Sequence, residues 1–315
     1  MKLGRRQALK VIAATGAMAA GSVAPASAAR ARREPPPDAL GMLYDTTKCI
    51  GCKACVVACT EANHLEVDTS WSDGLYQAPL DLNGKTKNVI KLYREGPYQS
   101  YVKAQCMHCV DPACTSACML GSLKKDPVTG IVTYDQRYCV GCRYCMMACP
   151  FNVTKFEYHK VAPNIVKCEL CRHRFAEATL AETNGFSRFP ANHGPACCEV
   201  CPREAVIYGK RSELLAEAKR RLAQHPDRYV PKIYGEDDAG GTQVLYLSHV
   251  PFEKIGLPDF GPRGVPHTVN TVQQGLYQGF VAPVALYGAL AFVMWRNRQK
   301  GGQPADAAEG KGEAS

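Results

Sequence analysis

Seventeen cysteines in 315 residues, all between Cys49 and Cys201 in four tight groups, limit what this chain can fold into. A disulfide scaffold spreads an even number of cysteines between loops, so that bridges replace a core. Here the number is odd, and neighbours stand two residues apart. They are poorly placed to bridge one another and well placed to surround a metal centre. The pattern is also duplicated. Tyr44-Asp45 followed by Cys49, Cys52, Cys55 and Cys59 returns 90 residues later as Tyr134-Asp135 followed by Cys139, Cys142, Cys145 and Cys149. A second pair of groups follows the same logic. Cys106, Cys109, Cys114 and Cys118 match Cys168, Cys171, Cys197 and Cys201, with an insertion between Cys171 and Cys197.

Spacing carries the chemistry. A cubane [4Fe–4S] cluster needs one thiolate per iron, and C-x-x-C-x-x-C wraps three thiolates around three corners. The fourth cysteine, three residues on, begins a helix that points away, and in two-cluster ferredoxins it ligates the other cluster. Four such groups make sixteen cysteines the ligands of four [4Fe–4S] clusters. Zinc competes for isolated C-x-x-C pairs, but triplets with a remote fourth cysteine are not its usual layout. Gly51 and Gly141 fit the tight loops, where backbone N–H groups reach sulfur, and Pro150 and Pro202 follow fourth cysteines. Cys198 breaks the spacing and reads as a buried or partly buried free thiol rather than a ligand. His108, between Cys106 and Cys109, reads as a local hydrogen-bonding group or as one that bonds to cluster sulfur and tunes potential, and not as a ligand. Lys53 and Arg143 occupy equivalent places beside clusters, either as surface charges or as groups that raise reduction potentials. No C-x-x-C-H, G-x-G-x-x-G or P-loop is present, so covalent haem and nucleotide chemistry are not indicated. An enzyme whose cluster binds substrate needs an iron without a thiolate, and sixteen well-spaced cysteines leave none open.

Both ends read as address labels. Arg5-Arg6, an Ala/Gly-rich apolar run and Ala26-Ser27-Ala28 form a twin-arginine export signal over residues 1–28. That route exports folded proteins, so cluster chemistry and export are compatible. Loss of Lys2, Arg5, Arg6 and Lys10 lowers the formal charge of +9 to +5, and the remaining basic residues form no nucleic-acid patch. Leu276–Trp295 is an uncharged stretch of membrane-spanning length followed by Arg296, Arg298 and Lys300. The positive-inside rule then places the C-terminus in the cytoplasm and the body in the periplasm.

The remaining organisation follows from composition. Residues 29–40 form a linker, 41–210 the cluster domain, 211–270 a helix with a Gly/Pro-rich extension, 271–296 the membrane helix and 297–315 a disordered tail. Ser212 is expected to cap a helix through Gln224, with Leu214, Leu215, Ala218 and Leu222 on one face and Pro226 ending it. Lys124 to Tyr134 reads as a turn between short strands. Val230–Thr268 is expected to lie along the membrane face or against a partner.

The same residues resemble a known family. The four cysteine groups are similar to the four-cluster iron–sulfur subunits of periplasmic respiratory oxidoreductases. Leu40–Asp45, Gln105–Pro112, Cys142–Cys145, Gly240–Leu245 and Val250-Pro251 narrow the resemblance to the iron–sulfur subunit of hydrogenase-2-type membrane-bound [NiFe] hydrogenases. The resemblance implies an α+β fold of tandem ferredoxin-like units, each bis-[4Fe–4S], with one C-terminal transmembrane helix. It implies crossed ligation: Cys49, Cys52, Cys55 and Cys201; Cys59, Cys168, Cys171 and Cys197; Cys106, Cys109, Cys114 and Cys149; Cys118, Cys139, Cys142 and Cys145. It also implies a non-catalytic role in anaerobic respiration, relaying electrons from hydrogenase small and large subunits to an integral membrane quinone-reactive subunit. The alternative is the equivalent subunit of a periplasmic formate dehydrogenase or other molybdenum oxidoreductase.

Overall fold

Leu40-Gly41-Met42-Leu43-Tyr44-Asp45 has large apolar side chains at both parities, and it forms a strand, β1 (Leu40–Asp45), buried along its whole length. A strand covered on both faces reads as a continuous apolar run rather than an alternation. The computed structural model of the chain describes residues 33–68, 79–96, 98–174, 194–266 and 281–300. The export signal, most of the linker, the insertion after Cys171, the first residues of the expected membrane helix and most of the tail lie outside them. The chain divides into two units, residues 32–267 and a second unit of residues 1–31 with 268–315.

In the larger unit β1 is the middle strand of three. It pairs antiparallel with β8 (Val206–Lys210) and parallel with β9 (Val244–Leu247). The two-residue period sorts the faces. Met42, Tyr44, Val206, Tyr208, Val244 and Tyr246 face a core that includes Cys106, Cys168 and Cys197. Leu43, Ile207, Leu245 and Leu247 face the other way, where Leu214 and Ala218 of helix α5 (Arg211–Gln224) cover them. The sheet is thus a wall with cysteines on one side and a helix on the other. Val230–Leu257 is no outlying segment. Tyr234 and Val244–Leu247 are fully buried, because this stretch supplies the third strand and much of the core.

Helix α5 runs as expected to Gln224 but begins two residues early. Lys210, not Ser212, is at its N-cap, and no side chain caps it. The start is set instead by the buried Arg211, whose backbone N–H donates to the Ala39 carbonyl while its guanidinium donates to the carbonyls of Thr242, Gly235 and Glu236.

Short hairpins frame the cysteine groups: β2 (Asn88–Glu95) with β3 (Tyr98–Gln105), β4 (Leu123–Lys125) with β5 (Val132–Tyr134), and β6 (Lys155–Phe156) with β7 (Ile165–Val166). The expected turn between β4 and β5 is closed by Asp126, whose Oδ1 accepts from Val128 N–H at 3.0 Å, Thr129 N–H at 2.6 Å and the Thr129 hydroxyl at 2.8 Å. Burial alone would raise the pKa of Asp126, but these hydrogen bonds outweigh it and hold the carboxyl below its ordinary range. Asp126→Ala should cost about 1 kcal/mol at neutral pH. The loss should appear as a lower thermal midpoint with unchanged iron content.

Four short helices carry the third cysteines of the groups, Cys55, Cys114, Cys145 and Cys197: α1 (Ala54–Ala62), α2 (Ala113–Ser116), α3 (Tyr144–Ala148) and α4 (Ala196–Glu199). They pair α1 with α4 and α2 with α3. The two copies of the sequence repeat therefore do not fold side by side. An inner module, Cys106–Cys149, is enclosed in sequence by an outer one assembled from Cys49–Cys59 and Cys168–Cys201. In the second unit, α6 (Val281–Lys300) is described. Among the described residues no helix is long and apolar enough to cross a membrane. The expected apolar stretch begins before the described helix does, and α6 ends in Arg296-Asn297-Arg298-Gln299-Lys300.

Candidate metal centres

The duplicated Tyr-Asp-x-x-x-Cys motif has a structural cause. Asp45 accepts from the Thr47 N–H at 3.0 Å, and Asp135 accepts from the Arg137 N–H at 3.0 Å. Each aspartate turns the chain out of its strand and into the cysteine loop. The preceding tyrosines, Tyr44 and Tyr134, bring their hydroxyls within hydrogen-bonding reach of Cys49 and Cys139.

Inside the loops the backbone points at sulfur. The N–H groups of Gly51 and Leu170 donate to Cys49 Sγ and Cys168 Sγ, each at 3.4 Å, and His108 N–H donates to Cys106 in the equivalent place. These bends need positive φ, which Gly51 adopts at +72° and Gly141 at +69°. A Cβ on Gly51 would stand 2.3 Å from the Tyr101 ring, so only glycine fits. Lys53 (φ 59°) and Arg143 (φ 66°) take the same left-handed conformation at the N-caps of α1 and α3. The repeat therefore extends from residue type to backbone conformation.

All seventeen cysteines are free thiols. Thiols far apart in sequence are gathered by the helix pairs. Cys49 lies within electrostatic reach of Cys201 and Cys52, and Cys55 of Cys197, Cys49 and Cys201. Cys59 faces Cys168, Cys197 and Cys171. Cys109 faces Cys106, Cys114 and Cys149, and Cys145 faces Cys118, Cys142 and Cys139. Burial, reinforced by the neighbouring sulfurs, pushes Cys55, Cys114, Cys145 and Cys168 up to about 12. Cys197 moves the other way, because the thiol of partly buried Cys198 hydrogen-bonds to it and Lys103 lies beside it. Among the described residues, no group of three or more His, Cys, Asp or Glu side chains meets at the spacing of a single metal ion.

Residues 98–211 match a 4Fe–4S dicluster domain, and residues 40–61 match a 4Fe–4S binding domain. The chain is 39% identical to the hydrogenase-2 operon protein HybA of Escherichia coli O157:H7, over 94% of this chain and 96% of that protein. It belongs to the HybA family. HybA of Shigella flexneri matches equally. The iron–sulfur subunit of the nitrate-inducible formate dehydrogenase of Escherichia coli strain K12 is 31% identical over 79% of this chain and 80% of its own. This HybA-family chain is an iron–sulfur electron-transfer protein with four [4Fe–4S] clusters as cofactors, and it belongs with oxidoreductase complexes that contain a catalytic partner.

The residues fit that cofactor. The donors are soft thiols held close together, and crowded buried thiolates need the positive charge that iron supplies. Fully buried His108 accepts the Val132 N–H at Nδ1 (3.0 Å), so its hydrogen sits on Nε2, which is directed toward the Cys168 backbone. His108 is thus a local hydrogen-bonding group at Nδ1, as its position between two cysteines suggested.

Sequence reasoning missed three residues of this region. Asn63 Nδ2 approaches Cys59 Sγ at 3.5 Å and Cys171 Sγ at 3.9 Å. Lys167 lies beside Cys106 and Cys114, its Nζ donating to the carbonyls of Val132 (2.5 Å) and Cys168 (3.1 Å). Lys103, on β3, is fully buried among cysteines of both segments of the outer module. Of these, only Lys167 carries a signal in the sequence, through its place next to Cys168.

Proposed function

We propose that the chain is a non-catalytic wire whose four clusters are held by Cys49, Cys52, Cys55 and Cys201; by Cys59, Cys168, Cys171 and Cys197; by Cys106, Cys109, Cys114 and Cys149; and by Cys118, Cys139, Cys142 and Cys145. Each cluster, when bound, takes up and releases one electron without making or breaking substrate bonds. One observation carries the reading. Neighbouring thiols order the four sets in a line, and exposed cysteines stand at its two ends. Cys55 faces Cys197, Tyr246 is within electrostatic reach of both Cys168 and Cys106, and Cys114 faces Cys145. Cys52 in the first set and Cys142 in the last are exposed, while Cys59, Cys168, Cys171, Cys197 and Cys106 between them are buried. Exposed Ile50 and Val57 surround the first end, and exposed Met119, Val140, Tyr144 and Met147 the last. Such apolar margins suit partner proteins at both ends of the line.

By its likeness to HybA, the electron source is a [NiFe] hydrogenase of small and large subunits, and the acceptor is an integral membrane quinone-reactive subunit. The body is periplasmic after twin-arginine export, held by a C-terminal span. Support for the span comes from α6, whose Leu286, Tyr287, Leu290, Phe292, Val293, Met294 and Trp295 are all exposed. A helix that is apolar all round requires apolar surroundings. The formate dehydrogenase relatives favour a second reading, with molybdenum in the partner. Purification from solubilised membranes separates the two. Co-purifying nickel, with hydrogen-driven quinone reduction that is lost on deletion of this chain, is expected. Molybdenum with formate-driven reduction would replace the hydrogenase reading.

A further inference from the structure

Burying an amine without a counter-charge is expensive, so a lysine with no exposed surface needs a reason. Lys103 has 0% exposure. Its Nζ donates to Gln105 Oε1, and it also hydrogen-bonds to Cys197. The strand beneath it is pinned at two points by the sheet: Tyr246 OH donates to the Lys103 carbonyl at 2.6 Å, and Tyr44 OH donates to the Tyr101 carbonyl at 3.0 Å. The ammonium therefore has little freedom to leave. Its electrostatic neighbours are Cys197, Cys55, Cys168 and Cys59. Cys55 comes from the first set of thiols, and the other three come from the second. The cysteines around it supply the counter-charge that a buried ammonium requires.

We propose that Lys103 is a fixed internal cation shared by the first two clusters, raising the reduction potential of both relative to the same clusters without it. The proposal rests on the cluster allocation above. Reduction adds one negative charge to a cluster, and an unscreened cation beside its thiolates stabilises that added charge. Three of the four neighbouring sulfurs belong to the second set, so the effect is larger there. Lys103 touches no substrate; it acts through the cofactor.

The test is a redox titration of the intact membrane complex followed by electron paramagnetic resonance, for the wild type, Lys103→Met and Lys103→Arg. In Lys103→Met two of the four midpoints should fall. The larger fall should be at least tenfold in the reduction equilibrium, about 59 mV for a one-electron couple. The other two midpoints should hold, and Lys103→Arg should keep all four near their wild-type values. If Lys103→Met does not take up full iron and sulfide, Lys103→Gln is read in its place. Unmoved midpoints, an equal shift of all four, or an arginine variant that falls as far as the neutral one would overturn the proposal. So would failure of every neutral variant to load clusters, which would make Lys103 an assembly residue. A wild-type protein lacking iron and sulfide would instead refute the cluster allocation itself.

Discussion

Cys201→Ser should extinguish the same cluster signal as Cys52→Ser, while Cys197→Ser should extinguish the one lost in Cys171→Ser. Cys197 and Cys201 are four residues apart, within and just after α4. Proximity in sequence would suggest that they share a cluster. The proposed allocation separates them: Cys201 meets Cys49 and Cys55, whereas Cys197 meets Cys59, Cys168 and Cys171 besides Cys55. Each serine should lower iron by about a quarter, the share of one cubane in four. The double variant Cys52→Ser with Cys201→Ser should lose no more than either single, since both empty one site. Hydrogen-driven quinone reduction should stop in every case, because removing one member breaks the line. Cys198→Ala is the control and should retain full iron. Loss of one shared signal in Cys197→Ser and Cys201→Ser, or iron loss in Cys198→Ala, would refute the crossed allocation.

Gly41→Ala should be the most damaging single change outside the ligands. A Cβ at Gly41 would sit 2.1 Å from the backbone carbonyl oxygen of Gln243, where no rotamer change can relieve the overlap. That oxygen accepts the Met42 N–H at 3.0 Å, so the methyl group would push β9 away from β1. The damage would not stop at the sheet. Gln243 N–H donates to the Met107 and His108 carbonyls at 3.2 Å, which ties the start of β9 to the loop between Cys106 and Cys109. Overpacking of this kind costs about 3 kcal/mol or more where backbone must move. The expected result is a large drop in thermal midpoint together with loss of the Cys106–Cys149 cluster signal. A variant with wild-type melting and four intact signals would show that the strands separate freely.

The cysteine grouping, the repeat, the β4–β5 turn and helix α5 were legible because each is encoded locally, by spacing, by Asp126 or by an apolar stripe. Other features depend on which distant segments meet, and no local pattern reports that. Val244–Leu247 sits in a Gly- and Pro-rich stretch whose composition masks a four-residue strand. β1 has apolar side chains on both faces, so it lacks the alternation that marks a half-buried strand. The pairing of α1 with α4 is invisible to a repeat analysis, which groups each helix with its own copy. Lys103 was missed for a related reason. On β3 it looks like an ordinary charged residue, and only the sulfurs contributed by Cys168 and Cys197 reveal what surrounds it.

The enclosure of one module within the other has a consequence for biosynthesis. During translation, Cys49, Cys52 and Cys55 emerge long before Cys201, roughly 7–30 s earlier at about 5–20 residues per second. The inner cysteines are complete once Cys149 has left the ribosome, so their iron can be inserted while the chain is still growing. Under the proposed allocation the outermost site waits for Cys201, until nearly two thirds of the polypeptide has been made. Maturation therefore finishes where the chain began, and a truncated product would present half-built sites to the insertion machinery instead of a smaller working relay.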